Sequence, residues 1–307
     1  MAAQIQIAEI DAFGDLEDGL GRGEDWVELF NVGDEEASLA GLRLSDDPEN
    51  WGKWNLPSVT LGPQERLLVW CSGRDVGAID HWECPADDTD AWQYLVPNQA
   101  LDADWRTLDF DDSSWQTGSG SIGYGDGDDV TTINGNVVFM RRTFNGINTG
   151  DLVHGVLAVD YDDGYVAFLN GREFARSSSM EETSVAFNAF AGGLHEAELY
   201  AGGIPESVSF DPREWLVEGT NVLAVQVHNY DPNSSDLTAR PFLALARTAP
   251  SPVPFGIVPD WLQPEAPELH TNFKLKPGEP VILSDAAGNL LDLATLPSEL
   301  RAGITMG

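Results

Sequence analysis

Carboxylates dominate the chemistry this sequence can offer. Asp126, Asp128 and Asp129 in GYGDGDD, and Asp160, Asp162 and Asp163 in DYDDG, place hard oxygen donors on glycine-containing loops. That combination suits Ca2+, which takes six to eight oxygen ligands. Neither stretch is an EF-hand, because the twelfth position counted from Asp160 is Gly171. A solvated hairpin is the plainer reading of both, since Asp-Gly pairs are preferred turn residues. Glu9 and Glu28 stand in otherwise apolar runs; a partly buried Glu must find donors or raise its pKa, so each is expected to accept hydrogen bonds from backbone or from Arg43. Gly118, Gly120 and Gly123 satisfy G-x-G-x-x-G, but Tyr124-Gly125-Asp126-Gly127 follows where a dinucleotide site needs a helix. G-x-S-x-G, H-E-x-x-H and Walker loops are absent, and His81, His154, His195, His228 and His270 show no ligand spacing. No catalytic residues are expected.

Two further groups invite a functional reading. Trp92, Trp105, Trp115 and Tyr124 could form a sugar-stacking platform, although such residues more often staple long loops onto a β-sandwich core. Cys71 and Cys84 have no C-x-x-C and no His-rich tract beside them, which argues against zinc and fits one disulfide in an oxidising compartment. Such a bridge would close a loop of about 15 residues, worth roughly 3 kcal/mol at most; two free buried thiols are the alternative. The sequon at Asn233 implies surface placement.

The elements that must carry these residues read as strands. Residues 4–13 (QIQIAEIDAF) alternate polar and apolar, the period-2 pattern of a strand with one buried face. Short strands follow at residues 26–32, 39–44 and 66–72, bounded by Gly, Pro, Asp or Asn. From near His81 the spacing widens and aromatics punctuate Asp-rich loops, before strands at residues 137–144, 152–161, 165–170, 221–229 and 241–247. A short helix is expected at residues 212–217, with Asp211 as N-cap, Pro212 first, Glu214 completing a capping box and Gly219 stopping it. Residues 248–267 contain six prolines and read as an extended linker. A hairpin follows, residues 281–285 and 289–293 around Ala286-Ala287-Gly288. A segment this short cannot bury a core alone and needs a partner surface.

Composition excludes several classes. The chain has 307 residues with 51 Asp+Glu against 16 Lys+Arg, a formal net charge of -35. Nucleic acid is excluded as a partner, because affinity for phosphate backbones rests on clustered Lys and Arg. Hydrophobic residues at 42%, including ten Trp, supply enough apolar material for real cores. The length suits about two domains, and Gly 31 with Pro 18 fits an all-β chain better than a helical one. No run approaches the roughly 18 apolar residues of a membrane helix, so no membrane insertion is expected, and the first residues lack signal-peptide character. The acid excess speaks first of solubility in salty or divalent-rich surroundings.

Particular motifs carry a resemblance. IQIAEIDAF, then residues 25–73 with Asp25, Trp26, Glu28, Asn31, Gly33, Asp34, Ser45, Asp46, Asp47, Pro48, Lys53, Trp54, Trp70, Ser72 and Gly73, resemble the first part of a bacterial lamin tail domain. LHTNFKLKPGEPVILSDAAGNLLDLATLP, residues 269–297, resembles the second part of the same domain. The resemblance therefore implies one Ig-like β-sandwich, residues 1–78 plus 266–307, interrupted by an insertion. The chain stops at ITMG where the family continues with a closing strand, which implies an incomplete edge open to strand addition. Between the halves, FDDSSW, the DDGYVAFLNG hairpin and the NVLAVQVHN strand resemble galactose-binding-like jelly-roll modules, giving an inserted domain at residues 79–248 and a Pro-rich linker at 249–265. A sandwich with neighbouring termini is readily placed in a surface loop of another, and a Cys71–Cys84 disulfide would pin the junction. Jelly rolls of this kind often hold one structural calcium in an early loop, which points to Asp126, Asp128 and Asp129 as its ligands. The implied function is a non-catalytic extracellular or cell-surface binding or scaffold segment that recognises a glycan or a surface protein. The alternatives are an accessory region of a larger secreted enzyme (a spore-coat-type kinase, nuclease or phosphatase) and a subunit that self-assembles through open sandwich edges.

Overall fold

A computed structural model of the chain describes residues 4–125, 127–180, 186–251 and 253–297. Its elements are β-strands, and the helical elements among the described residues are short 3-10 turns only. Two compact units emerge, Met1–Ile79 with Ala266–Gly307, and Asp80–Glu265.

The unit built from both ends of the chain is a sandwich. One sheet holds the antiparallel strands Ile5–Asp11, Trp26–Asn31 and Arg66–Trp70 in that order; the other runs Leu290–Thr295, Pro280–Ser284, Arg43–Ser45, Trp54–Asn55. Ile5, Ile10, Val27, Leu29 and Val69 share one buried cluster with Leu44, Trp54, Val281 and Leu283. The late hairpin thus obtains the partner surface it needs: Leu283 pairs with Leu44 and Ile282 with Ser45. Residues of the opening motifs hold the turns. The buried Asn31 amide donates to the carbonyls of Glu35, Leu61 and Gly62 while its oxygen accepts from Gly33 N–H. The Asp25 carboxylate accepts from Leu275 N–H at 3.2 Å, joining the front segment to the back. The incomplete edge implied at the C-terminus lies outside the described residues.

The second unit is a larger sandwich. One sheet is ordered Gln116–Gly118, Trp92–Leu95, Val137–Ile147, Gly219–His228, Gly164–Leu169, Arg172–Arg176. The facing sheet is ordered Thr131–Thr132, Ile122–Tyr124, Leu237–Arg247, Leu152–Tyr161, Ser207–Phe210, with His81–Ala86 also paired to Leu237–Arg247. Leu223, Val225 and Val227 point into the core between the sheets. Ala224, on the alternate face, joins Trp105, Trp115, Phe139 and Phe168 in a second buried layer outside the first sheet. A third layer, Val156, Ala158, Phe242 and Ala244 with Leu262, covers the outside of the other sheet. Burial on both faces explains why these strands read as near-continuous apolar runs, a pattern usual in doubly covered sheets.

Five expectations are corrected. The Pro-rich stretch is not a free linker: Gly256 exchanges backbone hydrogen bonds with Cys84 at 2.8 and 3.1 Å, and Trp261 packs edge-on against Phe242 at 4.8 Å. Proline favours extended backbone, and Phe255, Val258, Trp261 and Leu262 give this segment an apolar side to bury. The Cys71–Cys84 disulfide is absent; both cysteines are free and buried, Cys71 in the core of the first unit and Cys84 with its thiol 3.2 Å from the Ala86 carbonyl. Residues 212–217 form only the 3-10 turn Pro212–Glu214, capped by Asp211, which accepts from Arg213 N–H. Residues 39–44 are not one strand, because Gly41 turns the chain at φ 81° and leaves Ala37–Ser38 and Arg43–Ser45 on either side. Arg66, not Arg43, is the ion-pair partner of Glu28, and Arg43 donates to Asn55.

Truncating Leu262 tests the strap. Leu262→Ala should destabilise the Asp80–Glu265 unit by about 2–4 kcal/mol, the cost of a buried leucine, read in urea unfolding; an unchanged midpoint would mean the segment hangs free. Burial pushes both thiols up, Cys84 to about 12. Ellman's reagent should therefore label neither cysteine until the protein is denatured, and dithiothreitol should leave the melting temperature unchanged.

Candidate metal centre

The Leu152–Tyr161 strand ends in Asp160-Tyr161-Asp162-Asp163 before the chain crosses to Gly164–Leu169 in the other sheet. All three aspartates are buried, with Asp160 at 0% and Asp162 and Asp163 at 2% exposure. Burial of charge demands donors, and two of the three find them in backbone. Asp160 accepts from Glu198 N–H at 2.6 Å. Asp163 accepts from His195 N–H at 2.9 Å and Tyr230 N–H at 2.7 Å. The His195 ring then stacks on Tyr161 with centroids 4.0 Å apart. Two loops are thereby tied to the end of this strand.

Asp162 is different. Its Oδ2 has no hydrogen-bond partner among the described residues. Instead its carboxylate meets those of Glu196 and Asp236, with one oxygen of each within 4.8 Å of the others. Burial, then the charges of Asp163, Asp236 and Glu196, pushes the Asp162 carboxyl up to about 8. Asp236 is held by Ser234 Oγ at 3.1 Å, and its carbonyl accepts from the Asn229 amide at 2.6 Å. Asn229 is buried, also donates to Tyr124 Oη at 3.1 Å, and leaves its own Oδ1 without a partner among the described residues. Three carboxylates converging on one point, one of them buried with an unmatched oxygen, could hold a metal ion. The donor set is oxygen alone, which suits a hard cation and not zinc.

This centre only partly overlaps the one expected. Asp126 lies outside the described residues. Asp128 and Asp129 are not members of the convergent group, although the Asp128 charge is felt at Asp160 and its carbonyl accepts from Ser121 Oγ at 2.8 Å. Asp162 belongs to the second acidic run noted in the sequence. Glu196 and Asp236 were missed, because they come from separate loops with no common spacing. The aromatic platform does not form either. Trp92 is buried in the inter-sheet core, Trp105 and Trp115 are buried in the layer outside the first sheet, and Tyr124 lies beside the acidic cluster. Trp105 stacks on Phe139 at 4.6 Å and packs 6.0 Å from Trp115, so these indoles staple loops.

Comparisons with known proteins yield weak likenesses. No family model matches the sequence, and no curated protein is significantly similar to it. Among solved structures, β-glucuronidase 2 of Bacteroides uniformis is similar at 12% identity over 70% of this chain and 32% of its own, with a TM-score of 0.36. Another Bacteroides uniformis β-glucuronidase gives 14% identity over 74% of this chain and 27% of its own, TM-score 0.36. A β-glycosidase from Bacteroides vulgatus gives 13% over 54% and 20%, TM-score 0.33. The chain spans a third or less of the length of these three enzymes, and a likeness at this level carries no functional argument. Among the described residues no helix is long and apolar enough to cross a membrane.

Two buried groups give the metal-free protein opposing pH dependences. His228 is held neutral, its pKa lowered by burial from 6.5 to about 4, so the unfolded chain binds a proton that the folded one refuses. Stability therefore falls as pH drops from 6.5 toward 4, by about 3 kcal/mol if the full shift is realised. Asp162 is raised from 3.8 to about 8, so its folded form keeps a proton the unfolded chain releases, and stability falls as pH rises through that window. In EDTA, His228→Gln should flatten the acid side of a melting-temperature profile and Asp162→Asn the alkaline side. Profiles that coincide with wild type would refute both assignments.

Proposed function

We propose that the chain is a non-catalytic binding and scaffold segment acting outside the cell or at its surface, in which the Asp80–Glu265 unit is a ligand-binding module braced by Ca2+. The observation that carries this reading is the convergence of Asp162, Glu196 and Asp236 from three loops at one end of a sandwich. Asp162, Glu196 and Asp236 would be the protein ligands. The ion would supply charge compensation and fix the loops; it has no reaction to promote. Calcium fits better than magnesium, because Ca2+ accepts irregular oxygen sets while Mg2+ demands a near-ideal octahedron. A site with few protein ligands is of low affinity and suits the calcium levels met outside cells. The surplus of acid over base serves solubility in the same surroundings. For the other unit we propose a lamin-tail-like sandwich, supported by the structural work of Asp25, Asn31, Ser45 and Lys53 at the motif positions: Ser45 Oγ accepts from Asp47 N–H at 2.9 Å, and Lys53 pairs with Asp46 at 2.6 Å. Its role would be to present the inserted module to a glycan or surface protein.

Calorimetry against calcium tests the proposal. Ca2+ at about 1 mM, the range in which extracellular modules bind, should raise the melting temperature of wild type, and Mg2+ should do so less. At roughly one to ten times such a dissociation constant, bound ligand stabilises by about 0.4–1.4 kcal/mol, a shift within reach of the method. Asp162→Asn should abolish the response without lowering the melting temperature in EDTA. An unresponsive wild type would overturn the calcium reading.

A further inference from the structure

The second candidate site lies on the outer face of the sheet that carries Gly219–His228. Ala224, Gln226 and His228 alternate onto that face, where the loops around residues 100–115 and 186–191 cover it. Under this cover is a cavity of about 300 Å³ lined by Leu101, Trp105, Arg106, Phe139, Phe187 and Gln226. Most of the layer is apolar and well packed, which makes its polar members conspicuous.

Gln226 is 0% exposed, and neither its Nε2 nor its Oε1 has a partner among the described residues. A buried primary amide with both ends unmatched is costly, because it loses water and gains nothing in return. Substitution by an apolar residue of similar size would remove that cost. Arg106 adds a second unmet demand. Its Nε is buried without a hydrogen-bond partner among the described residues, and its guanidinium rests over the Phe168 ring at 4.1 Å. The charge of Glu173 reaches it only at a distance, with no ion pair between them among the described residues. In a chain with 51 acidic and 16 basic residues, a guanidinium that closes no ion pair among the described residues has a place left for an external carboxylate.

The three features specify one ligand. The amide asks for an acceptor and a donor side by side, as two neighbouring hydroxyls provide. The guanidinium asks for a carboxylate, and the aromatic and aliphatic walls ask for a ring with an apolar face. The volume sits at the lower end of small-molecule pockets, enough for one six-membered ring. We propose that this cavity binds the acidic sugar residue of a saccharide, its carboxylate on Arg106 and neighbouring hydroxyls on Gln226. The inference rests on reading the Asp80–Glu265 unit as a ligand-binding module, and it is independent of the cation at Asp162.

Titration of the full chain with D-glucuronate, D-glucose and cyclohexanecarboxylate, followed by ligand-observed NMR and calorimetry, tests it. Glucuronate should bind, and both glucose and cyclohexanecarboxylate should bind at least about tenfold more weakly, the factor carried by one lost polar interaction. Arg106→Gln should erase the preference of acid over neutral sugar. Gln226→Leu should abolish glucuronate binding while raising the melting temperature of the ligand-free protein, the opposite of what a structural glutamine would show. Failure of wild type to bind glucuronate, cyclohexanecarboxylate binding as tightly, binding indifferent to both variants, or a lowered melting temperature in Gln226→Leu would each overturn the assignment. A glucuronate-binding chain that ignores calcium would leave this site standing and remove the cation reading alone; a calcium response retained in Gln226→Leu would show that its loss of sugar binding is local.

Discussion

Buried carboxylate charge is the constraint around which the second unit is organised. The chain has too few cations to neutralise its acids one for one, so its buried carboxylates depend on what else the fold can bring to them. Glu83 takes Arg247 at 2.7 Å, with both side chains nearly inaccessible, and Asp112 takes Arg141 at the same distance. Asp160 and Asp163 take backbone N–H groups from neighbouring loops. These are charge-assisted bonds, stronger than their neutral counterparts, and they determine where residues 195–199 and Tyr230 lie. Asp162 is left with carboxylates as neighbours. An arrangement that would repel itself apart in low dielectric is tolerable if one member keeps a proton or a cation takes its place.

The ion pairs and the double-sided burial support each other. Sheets apolar on both faces need covers, and the covers here are long loops with little secondary structure of their own. Arg141 fastens one of them: it is 2% exposed, bonds the Asp112 carboxylate, and donates to the Thr107 carbonyl at 2.9 Å. The indoles of Trp105 and Trp115 then fill the space between loop and sheet. On the other face the Pro-rich strap does the same through Trp261 and Leu262. A loop-rich layer held this way can keep a cavity at its base, where a layer of regular helices would close it by side-chain interdigitation.

Period-2 alternation and turn residues made the strands legible, because a half-buried strand has few other ways to be written. Size alone required a partner surface for the late hairpin, which could not bury itself; that the partner is the opening segment was implied by the motif resemblance. Proline content misled at residues 249–265, where the same composition serves a solvated linker and a fastened edge; the difference lay in Phe255, Val258, Trp261 and Leu262. The tryptophans were ambiguous because an indole that staples a loop and one that stacks on a ligand occupy similar sequence contexts. The metal centre was illegible beyond Asp162. Its members belong to three loops whose meeting depends on strand order, and Glu196 and Asp236 are two acids among 51. Gln226 gave no signal at all, standing in a strand whose alternation merely required some residue on the outer face.

Unsatisfied buried polar atoms are not spread evenly, and their distribution argues for where function sits. In the unit formed by the chain ends, the described residues leave only Trp26 Nε1 and Glu279 Oε2 unmatched. In the other unit the unmatched atoms are more numerous: Asp162, Asn229 and Thr238 carry them at the acidic end of the sandwich, Arg106, Gln226 and His228 on or beside the covered outer face, and Asp128, Arg142, Arg247 and Ser251 carry others. Polar groups buried without partners lower stability, so a fold keeps them where something outside the chain completes them. The first group consists of oxygens, hydroxyl and acid alike, as a hard cation requires. The second is mixed: Arg106 and Gln226 offer N–H donors, while the Gln226 oxygen and the Nε2 of His228, whose Nδ1 donates to the Ala189 carbonyl, offer acceptors, a set that suits an anion bearing hydroxyls. The two sites therefore demand ligands of opposite charge from a single sandwich, and the strongly acidic surface favours the cation at long range while the anion must rely on contacts made after entry.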